Sequence, residues 1–301
     1  MRFRALLASL LFASSSILAG QQRPAITGIA FMRVYTDDVP AAEHFYGATM
    51  GYTEKHFGDT IVFPINKHQW IEVAPSKKRD GESYTEAIAF TVSDVTAMKH
   101  YLEAKGVHEL DGPQAGELSV HDPEGNLVIF VERGPSGPAQ KLAADTPLST
   151  RAPSHHIIHV GFIVHDRGKE DAFWKTILGF RPYWYGTMHP PNLDWVSMQV
   201  PNGTDWIEYM MMPNQQPNKH DFGMSDHFSL GVARMQTVLH DLQANGCEEK
   251  MCTAIQAGKD GKIQLNLFDP DQTRVEYMEF VPVMKPCCSP FTGPQPNPSE
   301  E

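Results

Sequence analysis

The side chains able to do chemistry in this chain of 301 residues are histidines and carboxylates rather than thiols. Only four cysteines occur, Cys247, Cys252, Cys287 and Cys288, and no C-x-x-C pair is among them, which argues against a thiolate metal site. Their spacing leaves two pairings open, a local Cys247–Cys252 bridge or bridges from the tail to the body. Carboxylates recur after the same two residues, in Gln69-Trp70-Ile71-Glu72 and Asp205-Trp206-Ile207-Glu208. A positioned carboxylate can bind a cation or carry a proton. His155, His156 and His159 crowd one segment, and His227 opens another apolar run. Alternation along a strand places His159 on one face with Ile157 and Gly161. His189 and His220 fall in predicted loops, from which an imidazole can reach over a site as acid or base.

The elements that must position these residues come in copies. Val34 to Tyr52 and Val164 to Phe180 both read as strand, Asp, an amphipathic helix with an aromatic pair (Phe45-Tyr46, Phe173-Trp174), then Gly-aromatic. Ala87 to Gly106 and His227 to Gly246 each read as a short apolar strand, a helix and a Gly stop. Asp122-Pro123-Glu124-Gly125 and Asp269-Pro270-Asp271-Gln272 are turns, each followed by an apolar strand. The coarse reading is four copies of one βαβββ unit, two in each of the segments 25–134 and 155–281. The stretch 135–154, rich in Pro, Ala, Ser and Gly, reads as a linker.

Composition narrows the class. With 36 acidic against 25 basic residues the formal charge is −11, which disfavours nucleic acid as a partner. A hydrophobic share of 41 % supports folded cores. No apolar run reaches the roughly 20 residues of an integral membrane span. Residues 1–20 read as a signal peptide: Arg2 and Arg4, an apolar run from Leu6 to Leu18, then small Ala19 and Gly20. The expected location is periplasmic or secreted, where disulfides persist. Residues 282–301 form a Pro-rich tail expected to lie on the surface or to be disordered.

The pattern I-H-V-G-F-I-V-H-D…F-W…L-G-F (158–180), followed by D-P-D-Q-T-R-V-E-Y (269–277), resembles the vicinal oxygen chelate superfamily. That family includes glyoxalase I, extradiol dioxygenases, methylmalonyl-CoA epimerase and bleomycin resistance proteins. The resemblance implies an α+β fold in which tandem βαβββ modules, four copies, form two glyoxalase-like half-barrel domains. It also implies one divalent metal ion (Fe2+, Ni2+, Zn2+ or Mn2+) held in the cup of a domain. Carried onto this sequence, the metal positions fall on His159 in the first strand of the second domain, His227 in its fifth and Glu276 in its eighth. Two imidazoles and one carboxylate suit a divalent ion with open positions for substrate. Glu208 stands where glyoxalase I carries a further ligand, so Glu208 and Glu276 are the expected catalytic carboxylates. By the same alignment Ile29, Ala87 and Ile129 stand in the first domain for His159, His227 and Glu276, whereas Glu72 matches Glu208. The first domain is therefore expected to lack a metal site.

The resemblance to extradiol dioxygenases is incomplete. They carry a His near the place of Asp205 or Trp206, and a Tyr where Asn266 stands. The expectation is an exported, metal-dependent enzyme of lyase or isomerase type acting on a small molecule with vicinal oxygens. Extradiol ring cleavage with Fe(II) is the alternative, and a non-catalytic binder like the bleomycin resistance proteins is a third reading. Trp184, Tyr185, Trp195, Trp206, Tyr209 and Tyr277 are the aromatic residues expected to line a substrate cup. Oligomeric state is left open.

Overall fold

In the computed structural model, residues 22–76, 82–110, 116–133, 138–248 and 251–298 are described. The expected signal peptide lies outside them. Strands β1 (Ile26–Thr36), β2 (Lys55–Phe57), β3 (Thr60–Pro64), β4 (Trp70–Pro75), β5 (Thr85–Val92), β6 (Glu117–His121) and β7 (Leu127–Glu132) form one sheet, in the order β2-β3-β4-β1-β5-β7-β6. A second sheet holds β8 (Ile157–Val164), β9 (Arg181–Gly186), β10 (Trp195–Gln199), β11 (Trp206–Met211), β12 (His227–Val232), β13 (Gln256–Ala257), β14 (Ile263–Phe268) and β15 (Arg274–Glu279), ordered β13-β14-β15-β12-β8-β11-β10-β9. In each sheet two modules meet along an antiparallel central pair, β1 with β5 and β8 with β12. Within each module the first strand runs parallel to the last, as β8 does to β11 and β12 to β15. The fold is the expected α+β arrangement of two glyoxalase-like domains. The first sheet has seven strands among the described residues, one fewer than the second.

The repeated helix motif folds the same way twice. Helix α1 (Val39–Glu43) runs on into a π-helical turn, His44–Thr49. Then come α2 (Val95–Ala104), α3 (Pro138–Asp145) and α4 (Arg167–Glu170), which continues as a π-helical Asp171–Ile177. Asp38 caps α1 by accepting the Ala41 N–H at 3.1 Å, and Asp166 caps α4 by accepting that of Lys169 at 3.2 Å. Both helices are followed by a glycine at positive φ, Gly51 at 84° and Gly179 at 76°, a conformation that favours glycine. Helices α5 (Lys219–Ser225) and α6 (Met235–Ala244) complete the set. His220, expected in a loop, lies in α5, where Asn218 and Asp221 form a capping box.

The two Asp-Pro turns explain how the domains hold each other. Glu124 of the first turn accepts the backbone N–H groups of His165 and Asp166, each at 2.8 Å, just before α4. Asp271 of the second accepts the Thr36 hydroxyl at 2.6 Å and the Asp37 N–H at 3.2 Å, just before α1. Each domain thus places a carboxylate on donors at the end of the other domain's first strand. One apolar core, including Phe45, Tyr46, Phe162, Trp174, Tyr209 and Tyr277, runs through both domains on the helix side of the sheets. Complete burial of side chains of this kind contributes roughly 1.5–3 kcal/mol each.

The opposite sheet faces carry separate apolar clusters, each covered by the segment that follows its domain. The stretch expected as a linker contains α3, whose Leu142 and Ala143 pack with Phe31, Trp70, Ala87 and Ile129 of the first sheet. The Pro-rich tail lies against the second sheet, with Phe291 packed on Tyr183 at 4.8 Å between ring centroids. Its Thr292 N–H donates to the Tyr183 carbonyl at 3.0 Å. Cys247 pairs with Cys252, the local bridge, whereas Cys287 pairs with Cys288 inside the tail and makes no bridge to the body. No helix among the described residues is long and apolar enough to cross a membrane.

Candidate metal centre

His159, His227 and Glu276 come from three neighbouring strands, β8, β12 and β15. A bulge in β8 aims the first. Ser229 pairs with His159 and Leu230 with Ile157, so Ile158 is an extra residue. Ile158 turns to the Tyr183 and Trp206 cluster, while Ile157 joins the helix-side core. Ile157 therefore does not share the face of His159, because the bulge interrupts the alternation on which that expectation rested. Pairing of His227 with Gly161 and of Glu276 with Ser229 brings the other two side chains alongside. His159 Nε2 lies 3.0 Å from His227 Nε2 and 3.2 Å from Glu276 Oε2. All three residues are buried, and one ligand atom from each falls within 4.8 Å of the others.

Gly161 makes the room for this cluster. A Cβ built there would sit 2.1 Å from His227 Cε1 and 2.4 Å from its Nδ1. The His227 ring is oriented by its Nδ1–H, which donates to the Ser225 carbonyl at 2.7 Å and leaves the Nε2 lone pair facing His159. The His159 ring lies 4.7 Å from the Trp206 ring. Burial, together with Arg274 and His159, holds the His227 pKa well below the usual imidazole value. Burial lowers that of His159 as well, against the pull of Glu276. Both rings are thus neutral at neutral pH, the form that ligates metals. Burial raises the Glu276 carboxyl, but the His159 contact, the Arg274 charge and the Ser229 hydroxyl together outweigh this and the net shift is downward.

These donors fit a divalent ion. Two ligand atoms at right angles, each about 2.1 Å from one ion, lie about 3.0 Å apart. The 3.0 and 3.2 Å separations match that spacing. The His159 Nδ1 is a buried atom without a hydrogen-bond partner, so the ring is placed by Trp206 on its face and by His227 and Glu276 at its Nε2. Glu208 on β11 stands beside the three rather than among them. Its Oε2 is 3.9 Å from His227 Nε2, and its Oε1 accepts the Ser197 hydroxyl at 3.2 Å. Burial first, and the charge of Glu276 second, push its pKa up to about 8.

A cavity of about 170 Å³ opens over Glu208 and Glu276 and is lined also by Trp184, Trp195, Arg274 and Met278. Of the six aromatic residues expected at such a cup, only Trp184 and Trp195 line it. Trp206 supports His159 beneath the surface. Tyr209 and Tyr277 point into the helix-side core, and Tyr185 is 47 % exposed. The register error is one of parity, since alternate residues of β9, β11 and β15 face opposite sides. His155 and His156 lie outside the cavity, and His156 Nε2 instead contacts Asp205 at 2.8 Å. His189 pairs with Asp194 at 3.1 Å in an exposed loop.

Family models match both halves of the chain. Residues 28–130 and 158–265 each match a model described as glyoxalase/bleomycin resistance protein/dioxygenase superfamily, and together they cover more than half of the sequence. The chain belongs to that superfamily. Solved structures of similar fold include homoprotocatechuate 2,3-dioxygenase from Arthrobacter globiformis, 16 % identical with a TM-score of 0.63 over 85 % of this chain and 80 % of that one. The 2,3-dioxygenase LapB from Pseudomonas sp. KL28 is 13 % identical, with a TM-score of 0.64 over 93 % and 97 %. An extradiol ring-cleaving dioxygenase from B. fuscum is 15 % identical, with a TM-score of 0.64 over 86 % and 73 %. At these identities the likeness is one of fold. No curated protein matches the chain.

The two superfamily domains also serve as a comparison within one molecule. In β1, Ile29 pairs with Phe90 and Phe31 with Ala89, so Ala30 is the extra residue of the bulge. Phe31, not Ile29, therefore occupies the place of His159; both domains carry the bulge at the same point, and the two-residue shift comes from matching Val34 with Val164 instead of the capping Asp38 with Asp166. Phe31 stacks on Trp70 at 4.8 Å, as His159 lies on Trp206. Ala87 and Ile129 occupy the places of His227 and Glu276, by the same pairings. Arg33 takes the place of Gly161, and its Nε lies 2.5 Å from Glu72 Oε2. The Trp70 indole donates to the other oxygen of Glu72 at 2.8 Å. Glu72 is thus held by a permanent internal cation, so its retention carries no weight against a role for Glu208. Arg274 and Gly161 were missed from sequence. The signals were present, Arg274 two residues before Glu276 on the same strand face, and Gly161 opposite Arg33 in the repeat.

Proposed function

We propose that the chain is an exported, single-metal enzyme of lyase or isomerase type, acting on a small molecule with two adjacent oxygens. The observation that carries this reading is the buried trio His159, His227 and Glu276 at ligand spacing, of which Glu276 lines a cavity that a further carboxylate, Glu208, also borders. A divalent ion held by the trio would supply Lewis acidity to oxygens placed against it. Glu208, the carboxyl bordering the cavity, exchanges a proton with the substrate carbon or oxygen. The Ser197 hydroxyl steadies Glu208 by donating to its Oε1. Trp184 and Trp195 exclude water where they line the cavity. The Ser225 carbonyl fixes the tautomer of His227. Both cysteine pairs support an oxidising location, in keeping with the leader-like residues 1–20.

Extradiol ring cleavage is the second reading. The distance of Glu208 from the trio favours it, because a three-residue site leaves more open positions. Against it, Trp206 is buried beneath His159 and Asp205 is turned toward Ile29 and His156, so neither acts in the cavity. The experiment is a solvent-deuterium exchange screen of metal-loaded protein with 2-hydroxy and 2-oxo compounds, beside oxygen uptake with catechols. Exchange that is lost in Glu208→Ala while metal content is kept supports the first reading. Oxygen uptake without exchange replaces it with the second, and neither activity removes both.

A further inference from the structure

We infer that the substrate is an anion, a small 2-hydroxy or 2-oxo acid, and that Arg274 binds its carboxylate. This rests on the metal reading above and names the substrate class for that site. Arg274 is only 9 % exposed and lines the cavity beside Glu208 and Glu276. Its Nε is buried with no hydrogen-bond partner, and although its charge is felt by Glu208 and Glu276 across the cavity, neither makes a hydrogen bond to that atom. A guanidinium keeps its charge, and burying it unpaired is costly. Every other strongly buried cation near these cups is satisfied within the protein. Arg33 pairs with Glu72, and Lys262 donates to the Phe280 carbonyl at 3.0 Å. Arg274 is left for something that enters the cavity.

The first domain gives an independent observation. Where β5 and β7 pair as β12 and β15 do, Leu127 stands in the place of Arg274. That face is closed by α3 and has no need of a cation. The local charges then narrow the ligand. Two neutral imidazoles, one carboxylate and a divalent ion leave one net positive charge, Arg274 adds another, and Glu208 and Asp260 offset part of it. The unpartnered Arg274 favours a monoanion with adjacent oxygens over a neutral diol. Phosphate suits it less, because Glu276, Glu208 and Asp260 also border the space. A planar carboxylate matches the paired N–H groups of a guanidinium. Trp184 and Trp195, which line the same cavity, suit a flat or aromatic remainder.

The test uses calorimetry on full-length protein loaded with a divalent ion, its metal content measured first. The probes are mandelate and mandelamide, alike in shape and adjacent oxygens but different in charge, with inorganic phosphate as a third. The wild type is expected to prefer mandelate to mandelamide by at least about tenfold, the scale of one charge-assisted hydrogen bond. Arg274→Gln removes that preference, leaving mandelamide binding and metal content within about twofold of wild type. Arg274→Lys, which keeps the charge, retains part of it and guards against misfolding of the first variant. Equal binding of acid and amide by the wild type overturns the inference, as does a preference that survives Arg274→Gln, or phosphate binding tighter than mandelate. Those results with metal present leave the metal reading standing. Failure to bind any ion defeats both.

Discussion

Replacing Gly161 by alanine should dismantle the metal centre without touching a ligand. The added Cβ would lie 2.1 Å from His227 Cε1 and 2.4 Å from its Nδ1. An ordinary carbon–carbon contact is about 3.5 Å, so the ring must withdraw by about 1.4 Å. It cannot do so freely, since its Nδ1–H is tied to the Ser225 carbonyl at 2.7 Å. Metal ligands tolerate displacements of only about 0.2 Å, so the His227 bond is lost outright. Loss of orientation at one ligand typically weakens metal affinity by about 10–100-fold, and loss of the ligand sets that as the lower bound. The assay is competition for zinc against a chromophoric chelator, with circular dichroism to show that the fold persists. Glycine has no side chain to bind metal, so an unchanged affinity in a folded Gly161→Ala protein would refute the placement of His227 at the centre.

Arg33→Met leaves Glu72 buried without its cation and should lower unfolding stability by about 3–5 kcal/mol in a denaturant titration, with metal content unchanged. A stable variant would show that the pair does not hold the first cup together. Glu170 tests the pH dependence. Burial first, and the Asp122 charge second, raise its pKa from 4.5 to about 8. The folded protein therefore holds a proton that the unfolded chain gives up above about 4.5, and stability falls as pH rises from there to about 8, then levels. Glu170→Gln stays neutral and can still accept the Trp174 indole N–H, so its stability should decline less than that of the wild type over that window. Equal slopes in urea titrations at pH 5 and pH 8 would contradict this.

Much of the architecture was legible because the repeats carry it. Asp38 and Asp166, the aromatic pairs and the Gly-aromatic stops reappear as capped helices ended by a left-handed glycine, each piece set by local chemistry. The strands bearing His159, Glu208, His227 and Glu276 were legible for the same reason. What failed was parity and position along strands. The extra residue in β8 moved Ile157 off the site face, and no periodicity marks a bulge beforehand, whereas matching the copies on Val34 and Val164 instead of on the capping Asp38 and Asp166 puts Ile29 in place of Phe31. Tyr209 and Tyr277 were assigned to the cup by type alone, although their neighbours Glu208 and Glu276 already claimed that face. The reciprocal roles of Glu124 and Asp271 depend on contacts between segments more than a hundred residues apart in one case and over forty in the other. Such pairings have no local signal.

The most direct measurement is metal content per chain after anaerobic loading with Fe(II), Mn2+, Ni2+ or Zn2+ and removal of loosely bound ions. It should be made on the wild type and on a His159→Ala/His227→Ala double variant of confirmed fold. One ion per chain in the wild type and none in the variant is the result predicted by a centre built from His159, His227 and Glu276, with the first domain closed by Phe31, Arg33 and α3. Two ions per chain, none after every loading, or an ion kept by the variant would contradict it.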